Sequence, residues 1–316
     1  MWDIINSILP YATVYTIPLL ITALGGLYSE RSGVVNIGLE GLMVVGFFTS
    51  ALVIHSLQDV IPMSLAIALG LVGAILAGGL FSVLHAFASI NLNANQVISG
   101  TAINMMAGAL TVYLARIVTG SGNILIRHGL KRLSIPILKD IPIIGPLLFN
   151  KFYLTTWIVL GILLLSYILL YKTSFGLRLR ACGEHPYAAA SAGVNVYRMR
   201  YIAVIASGAL AGLGGACMLV TYSGEFNGTV GGLGFLALAA LIFGQWKPLG
   251  ILGATFFFGF ATTIANVSQV IPQLQSISPI LLKTFPYVVT LIALVIFSKS
   301  SQAPKASGES FTLGQQ

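Results

Sequence analysis

The stretch "GLYSERSGVVNIGLEGLMVVGFF", Gly26 to Phe48, sets Glu30, Arg31, Asn36 and Glu40 between two runs apolar enough to enter lipid. What it means depends on the chain around it. Of 316 residues, 57% are hydrophobic and only 8% charged, with a mean hydropathy of +0.94. A soluble globule of this size carries charge on about a quarter of its residues. This composition cannot cover such a globule and implies an integral membrane protein. Runs near the roughly 20 residues that cross a bilayer as a helix recur throughout, and alternating strands of about 10 residues do not. The fold class is therefore an all-α polytopic membrane protein.

With a window of about 19 residues, spans fall near 8–27, 41–57, 63–88, 96–118, 153–171, 201–222, 235–245, 249–270 and 284–297. The runs 235–245 and 284–297 are short for a full crossing, so about eight to ten transmembrane helices are expected. The N-terminus "MWDIINSILP" has an acid and no Lys or Arg before its first apolar run, which lacks the positive region of a cleavable signal. The first span is read as retained. Trp2, Trp157 and Trp246 fall at span ends, as aromatic anchors do.

Polar stretches cover 120–151 and 172–200 and flank a single span, so they lie on opposite sides. Summed over all spans, the side holding 172–200 carries Arg31, Lys172, Arg178, Arg180, Arg198, Arg200, Lys247, Lys299 and Lys305. The other holds Arg116, Arg127, Lys131, Arg132, Lys139, Lys151 and Lys283. The excess places 172–200 in the cytoplasm. The same bias accounts for the net charge of +8 without any nucleic-acid partner. The tail 298–316 is polar and rich in Ser, the composition of a disordered cytoplasmic segment. Ala66, Gly70, Ala74 and Gly78, and likewise Gly208, Gly212 and Ala216, recur four apart. Such stripes let helix backbones approach closely in lipid.

The opening segment has a counterpart in "TYSGEFNGTVGGLGFLALAALIFG", Thr221 to Gly244. Each follows a long apolar run, contains a glutamate, an asparagine and glycines, and resumes as an apolar helix. Two related halves are read, about 1–118 and 201–297, with interrupted helices at corresponding positions. Breaks in a membrane helix survive only where protein or a watery cavity satisfies the freed backbone, and paired breaks point to a substrate site. On this reading Glu30, Asn36, Glu40, Phe47, Glu225 and Asn227 line a translocation path. Asn36 and Glu40 would share a helical face if the helix restarts near Val35. The alternative is that 28–38 is a short loop with Asn36 as a cap and Glu40 at a favourable helix start, and that "SGEFNGTVGG" is an outer loop.

Within 172–200, "GEHPYAAASAGVNVYRMR" combines small residues with a basic border, and Pro186 suits the first turn of a short helix. One reading is a loop whose Arg residues meet anionic headgroups; the other is a docking helix for a partner. Catalytic machinery is not visible. His55, His85, His128 and His185 are far apart, Cys182 and Cys217 have no metal spacing, and neither a "GxSxG" turn nor a "GxxxxGK[ST]" phosphate loop occurs. No metal site or catalytic residue is assigned. His85, inside an apolar run, reads as a hydrogen-bonded interior residue. If ATP drives transport, another subunit hydrolyses it.

"SERSGVVNIGLEGLMVVGFF", "ACGEHPYAAASAGVNVYRMRYIAVIASGALAGLGGACM" and "GGLGFLALAALIFGQWKPLGILGATFFFG" closely resemble the membrane subunits of bacterial ABC importers in the branched-chain amino acid and sugar permease superfamily. Within it the chain looks most like the nucleoside-importer permeases, from about Pro10 to Phe297. The resemblance implies a multi-pass protein of the bacterial plasma membrane, working with a second permease subunit, a cytoplasmic ABC ATPase that binds ATP-Mg, and an extracytoplasmic substrate-binding lipoprotein. No cofactor is expected on this chain itself. The resemblance places Gly183, Glu184, His185, Pro186, Ala188, Ala189, Ala190 and Gly193 at the ATPase contact, and the "SGVVNIGLEG" segment near the path. Import of branched-chain amino acids or sugars, an ion-coupled secondary transporter and a channel remain as alternatives.

Overall fold

A computed structural model describes residues 2–141, 145, 149–267 and 302–312, together with 278, 280, 281, 284, 285, 288 and 292. The expected span at 284–297 lies outside the described residues, apart from isolated positions. Ten α-helices follow in order among the described residues: α1 (Trp2–Arg31), α2 (Leu39–Leu57), α3 (Met63–Ala86), α4 (Gln96–Thr119), α5 (Leu154–Lys172), α6 (Ser174–Glu184), α7 (Pro186–Ser191), α8 (Val196–Met218), α9 (Leu233–Phe243) and α10 (Pro248–Val267). Single π-helical turns extend α3 over Phe87–Asn91 and α8 over Leu219–Ser223. Seven helices are long and apolar enough to cross a membrane, and α9 is a shorter apolar helix. The expected spans through 249–270 are all found, with α1 and α8 each longer than the hydropathy window suggested.

Local signals set the helix limits. Asn95 caps α4 by accepting from the N–H groups of Val97 and Ile98 at 2.9 and 3.2 Å, and Gly120, at φ 76°, ends it in the left-handed region. Asn195 accepts from Arg198 N at the start of α8, and Thr173 from Gly176 N at the start of α6. Pro186 occupies the first turn of α7, the position where its missing N–H costs nothing.

The two small-residue stripes face each other. A Cβ on Gly208 would meet Gly78 O and Ser82, and one on Gly212 would meet Ala74 O and Gly78 Cα, so α3 and α8 touch backbone to backbone. Gly46 of α2 presses against Gly212, and Gly215 of α8 against Met43 and Phe47. Helices α2, α3 and α8 thus form one tightly crossed unit, the packing that small residues permit where lipid supplies no hydrophobic drive. Helix α1 is the most enclosed of the seven long helices and α4 the least.

A two-residue antiparallel ladder, β1 (Ile124–Leu125) with β2 (Glu225–Phe226), closes one end of the bundle. There His55 Nδ1 lies 3.0 Å from Leu125 O, Arg127 pairs with Asp59, and the Tyr153 hydroxyl donates to Thr221 O. The opposite end carries α6, α7 and residues 302–312. The stretches 120–151 and 172–200 therefore sit at opposite ends. Residues 302–312, expected as part of a disordered tail, are instead packed: Pro304, Ala306 and Phe311 are buried. Composition counted the polar residues but not the buried side chains spaced between them.

Candidate functional site

The first interruption is residues 32–38. Glu30 and Arg31 do not belong to it, because α1 stays helical through Arg31. Most of the break's backbone groups are held by a neighbour. Val35 N donates to Gln96 Oε1 at 2.6 Å, and Val35 O lies 3.0 Å from His85 Nε2. Asn104 of α4 donates to Ile37 O at 3.0 Å and accepts from Gly41 N at 2.7 Å. Ser29 donates to Val34 O, and Arg200 Nε to Ser32 O. An unmade backbone bond in a buried site costs about 1–3 kcal/mol, so polar side chains on α3, α4 and α8 are what make this non-helical segment tenable within the bundle.

Asn36 is fully buried. It accepts from Gly38 N at 3.1 Å and donates to Ser207 Oγ on α8 at 2.9 Å. Since α2 starts at Leu39, Asn36 lies before the helix and does not share a helical face with Glu40, contrary to the spacing argument. Its side chain closes a local turn and ties that turn to α8, while Glu40 turns toward α9.

The two interruptions meet at Glu40. Its carboxylate accepts from Gly232 N at 2.9 Å and Gly234 N at 2.7 Å, the capping residue and second position of α9. Glu40 thus sits in the first turn of α2 and against the first turn of α9, where both helix dipoles favour negative charge. Gly232, at φ 82°, adopts a backbone conformation that side chains disfavour, and a Cβ on Gly234 would strike Glu40. Higher on α2, Phe47 and Phe48 make edge contacts with Phe226, at ring separations of 5.2 and 5.5 Å. The second break therefore runs along α2 from Phe226 to Gly232. Helix α9, with 11 residues, is about 16 Å long, roughly half a hydrocarbon core.

The remaining path candidates separate. Phe47 is fully buried in the core; Glu225 accepts from Asn123 at 2.6 Å beside the β-ladder; Asn227 is exposed there. Glu30 lies at the other end of the bundle, where it accepts from Trp246 Nε1 at 2.5 Å. Arg31 donates to Trp246 O at 2.8 Å and lies 3.8 Å from Glu184. Trp246 is thus buried and hydrogen-bonded at a helix end, not a lipid-facing anchor. Its left-handed backbone, φ 52°, turns the chain from α9 into α10.

Around Glu184, Gly183 abuts Arg31 O and Gly33 N too closely for any side chain. Pro186 and Ala189 are buried, Ala190 is half-buried, and His185, Tyr187 and Ala188 are exposed. Gly193 ends the turn after α7 at φ 83° with its N–H on Ala190 O. Sequence reasoning missed Gln96, Asn104, Arg200, Ser207 and the Trp246 contact. The one available signal was a polar residue inside an apolar helix, as Asn104 is within "AINMMAG"; its partners were not visible. His85, read as an interior hydrogen-bonding residue, contacts Val35 O and Ser99 Oγ.

Comparison with known proteins gives the relationship. The guanosine ABC transporter permease protein NupQ of Bacillus subtilis (strain 168) is 43% identical over 316 residues, covering 99% of both chains. The nucleoside ABC transporter permease protein NupC of Lactococcus lactis subsp. cremoris (strain MG1363) is 40% identical, covering 94% of both. The B. subtilis guanosine ABC transporter permease protein NupP is 27% identical over 77% of this chain and 69% of its own. Residues 8–295 match the family described as branched-chain amino acid transport system / permease component, and with its seven apolar membrane-length helices this chain belongs to that family of multi-pass membrane permeases.

Proposed function

We propose that this chain is the membrane-spanning permease subunit of an ATP-driven importer of nucleosides. The observation that carries the reading is 43% identity along nearly the whole chain with a guanosine ABC transporter permease. B. subtilis and L. lactis relatives occur as pairs of permease proteins, which supports a second permease subunit beside this one. A chain without a phosphate-binding loop leaves ATP-Mg to a separate cytoplasmic ATPase, with α7 and its flanks, Gly183 to Gly193, as the contact. Substrate arrives from an external binding protein, at the end of the bundle holding the β-ladder.

Within the chain, the path passes the junction of α2 and α9. Glu40 is only half-buried there, Asn104 is beside it, and Phe235 in the first turn of α9 is half exposed. An acceptor, an amide and an open ring are what ribose hydroxyls and a purine face would use. Glu225 and Asn227 belong to the outer mouth, and Glu30 to the base that meets the ATPase. Residues 1–118 and 201–297 are two related halves, each delivering a helix start to the same junction.

The test is uptake of radiolabelled guanosine by cells lacking this subunit, with and without its restoration. Restored uptake should be competed by nucleosides, not by leucine or ribose, and should vanish with loss of the ATPase. Competition by amino acids or free sugars would move the substrate class, and uptake driven by an ion gradient without the ATPase would sink the reading.

A further inference from the structure

The segment 302–312 follows a polar, Ser-rich sequence, yet it bridges three parts of the bundle. Ala306 N donates to Gly183 O at 2.9 Å, and Gly308 N to Gly33 O at 3.1 Å. Arg200 Nη1 donates to Glu309 O at 3.0 Å, and the Tyr197 hydroxyl to Phe311 O at 3.2 Å. The Phe311 ring is 3% exposed and lies between Tyr187 of α7 and Tyr197 of α8, with ring centroids 5.0 and 5.4 Å away. A tight turn at 304–309, with Ser307 N on Pro304 O and Gly308 at φ 86°, lets two amides on either side of Ser307 reach Gly183 and Gly33. Together with His185, Tyr187 and Ala188, residues Lys305 and Glu309 wall a groove of about 450 Å³.

We propose that residues 302–312 are a strap that positions α7 against the first membrane break, so that transport stays coupled to events at α7 only while the strap is seated. This rests on the reading of α7 as the ATPase contact. Helix α7 has six residues, too few to hold itself in place. Its one short link to α6 and its turn into α8 leave a face that Phe311 fills. The strap touches Gly183 just before α7 and Gly33 within the break through backbone amides two residues apart, Ala306 N and Gly308 N. A displacement of α7 therefore reaches the segment leading to Asn36 and Glu40 without crossing the lipid-facing helices. Arg200, 1% exposed, sits where strap and break meet, bonded to Ser32 O on one side and Glu309 O on the other.

The experiment uses the whole transporter in proteoliposomes and reads guanosine moved per ATP hydrolysed. A chain stopped after Ser301 and a Phe311→Ala variant should both assemble with the ATPase and hydrolyse ATP. Both should move less guanosine per ATP by about fivefold or more, the lower end of usual coupling between sites. Phe311→Tyr, which keeps the ring, should restore the ratio. If the truncated chain fails to insert, Phe311→Ala decides. An Ala306→Cys variant should remain protected from an impermeant maleimide in inside-out vesicles, at rest and during turnover, because a seated tie moves with α7. An unchanged ratio in Phe311→Ala, or labelling of position 306 on turnover, overturns the proposal. Failure of the underlying reading has its own signature: Ala188→Trp in the full-length chain would then leave stimulation of the ATPase intact.

Discussion

Glu40, in the first turn of α2, holds the N–H of Gly234, in the first turn of α9, at 2.7 Å across a sequence separation of 194 residues. A single carboxylate thereby fastens the ends of both membrane breaks to one another. Its two acceptor bonds satisfy amides that no residue of α9 can reach, since the first N–H groups of a helix have no partner within it.

Glu40→Ala should leave both amides without their acceptor and lower stability by about 1–3 kcal/mol, with uptake falling by more than the loss of folded protein. Glu40→Gln retains one strong acceptor and should recover part of the stability. Thermal unfolding of the detergent-purified chain, set beside uptake normalised to membrane level, checks both. Equal behaviour of the Ala variant and the parent would remove Glu40 from the junction.

Gly46→Ala should destabilise the α2–α3–α8 unit, because its Cβ would overlap the backbone of Gly212. Overpacking of this kind costs about 1–3 kcal/mol. Gly108→Ala, where a Cβ meets nothing within 4 Å, is the control and should be neutral or slightly stabilising, as helix propensity favours Ala. Melting temperatures of the two variants decide the matter.

Trp246→Phe keeps an aromatic ring, smaller than the indole, and removes the N–H that Glu30 accepts, leaving a buried carboxylate short of a donor beside a small void. A loss of about 1–3 kcal/mol is expected. In a cycle with Glu30→Gln, the two changes should be non-additive, as they are for groups in direct contact. Additive stabilities would separate the pair.

The Cys182 thiol, in α6 outside the spans, is pushed above its ordinary range by burial, with the Arg200 charge opposing more weakly. Thiolate is the reactive form, so at any pH below the raised value less of it is present than in a free thiol. Maleimide labelling of Cys182 in membranes should be slow at neutral pH and rise with pH later than a free cysteine does. Truncation after Ser301 should speed it, since Ala306 lies over Gly183. Rapid labelling of the intact chain at neutral pH would contradict the packing.

Membrane class and the main spans follow from composition and hydropathy alone, because lipid forces apolar runs of a set length and leaves few alternatives. The two non-helical segments were legible too, as asparagines and glycines between apolar stretches, and so was the short helix started by Pro186. Segment 32–38, however, joins two separate spans with Glu40 at a helix start, which matches the short-loop reading. Local signals of this kind act through neighbours a few residues apart. The partners of those groups were not legible: Asn36 with Ser207, Glu40 with Gly232 and Gly234, Glu30 with Trp246, and Phe311 between Tyr187 and Tyr197. A polar group in a bundle must find its bond somewhere, and the sequence states only that the need exists. Which helix meets it depends on how closely the glycine faces of α2, α3 and α8 cross, and that crossing is settled when the whole bundle packs.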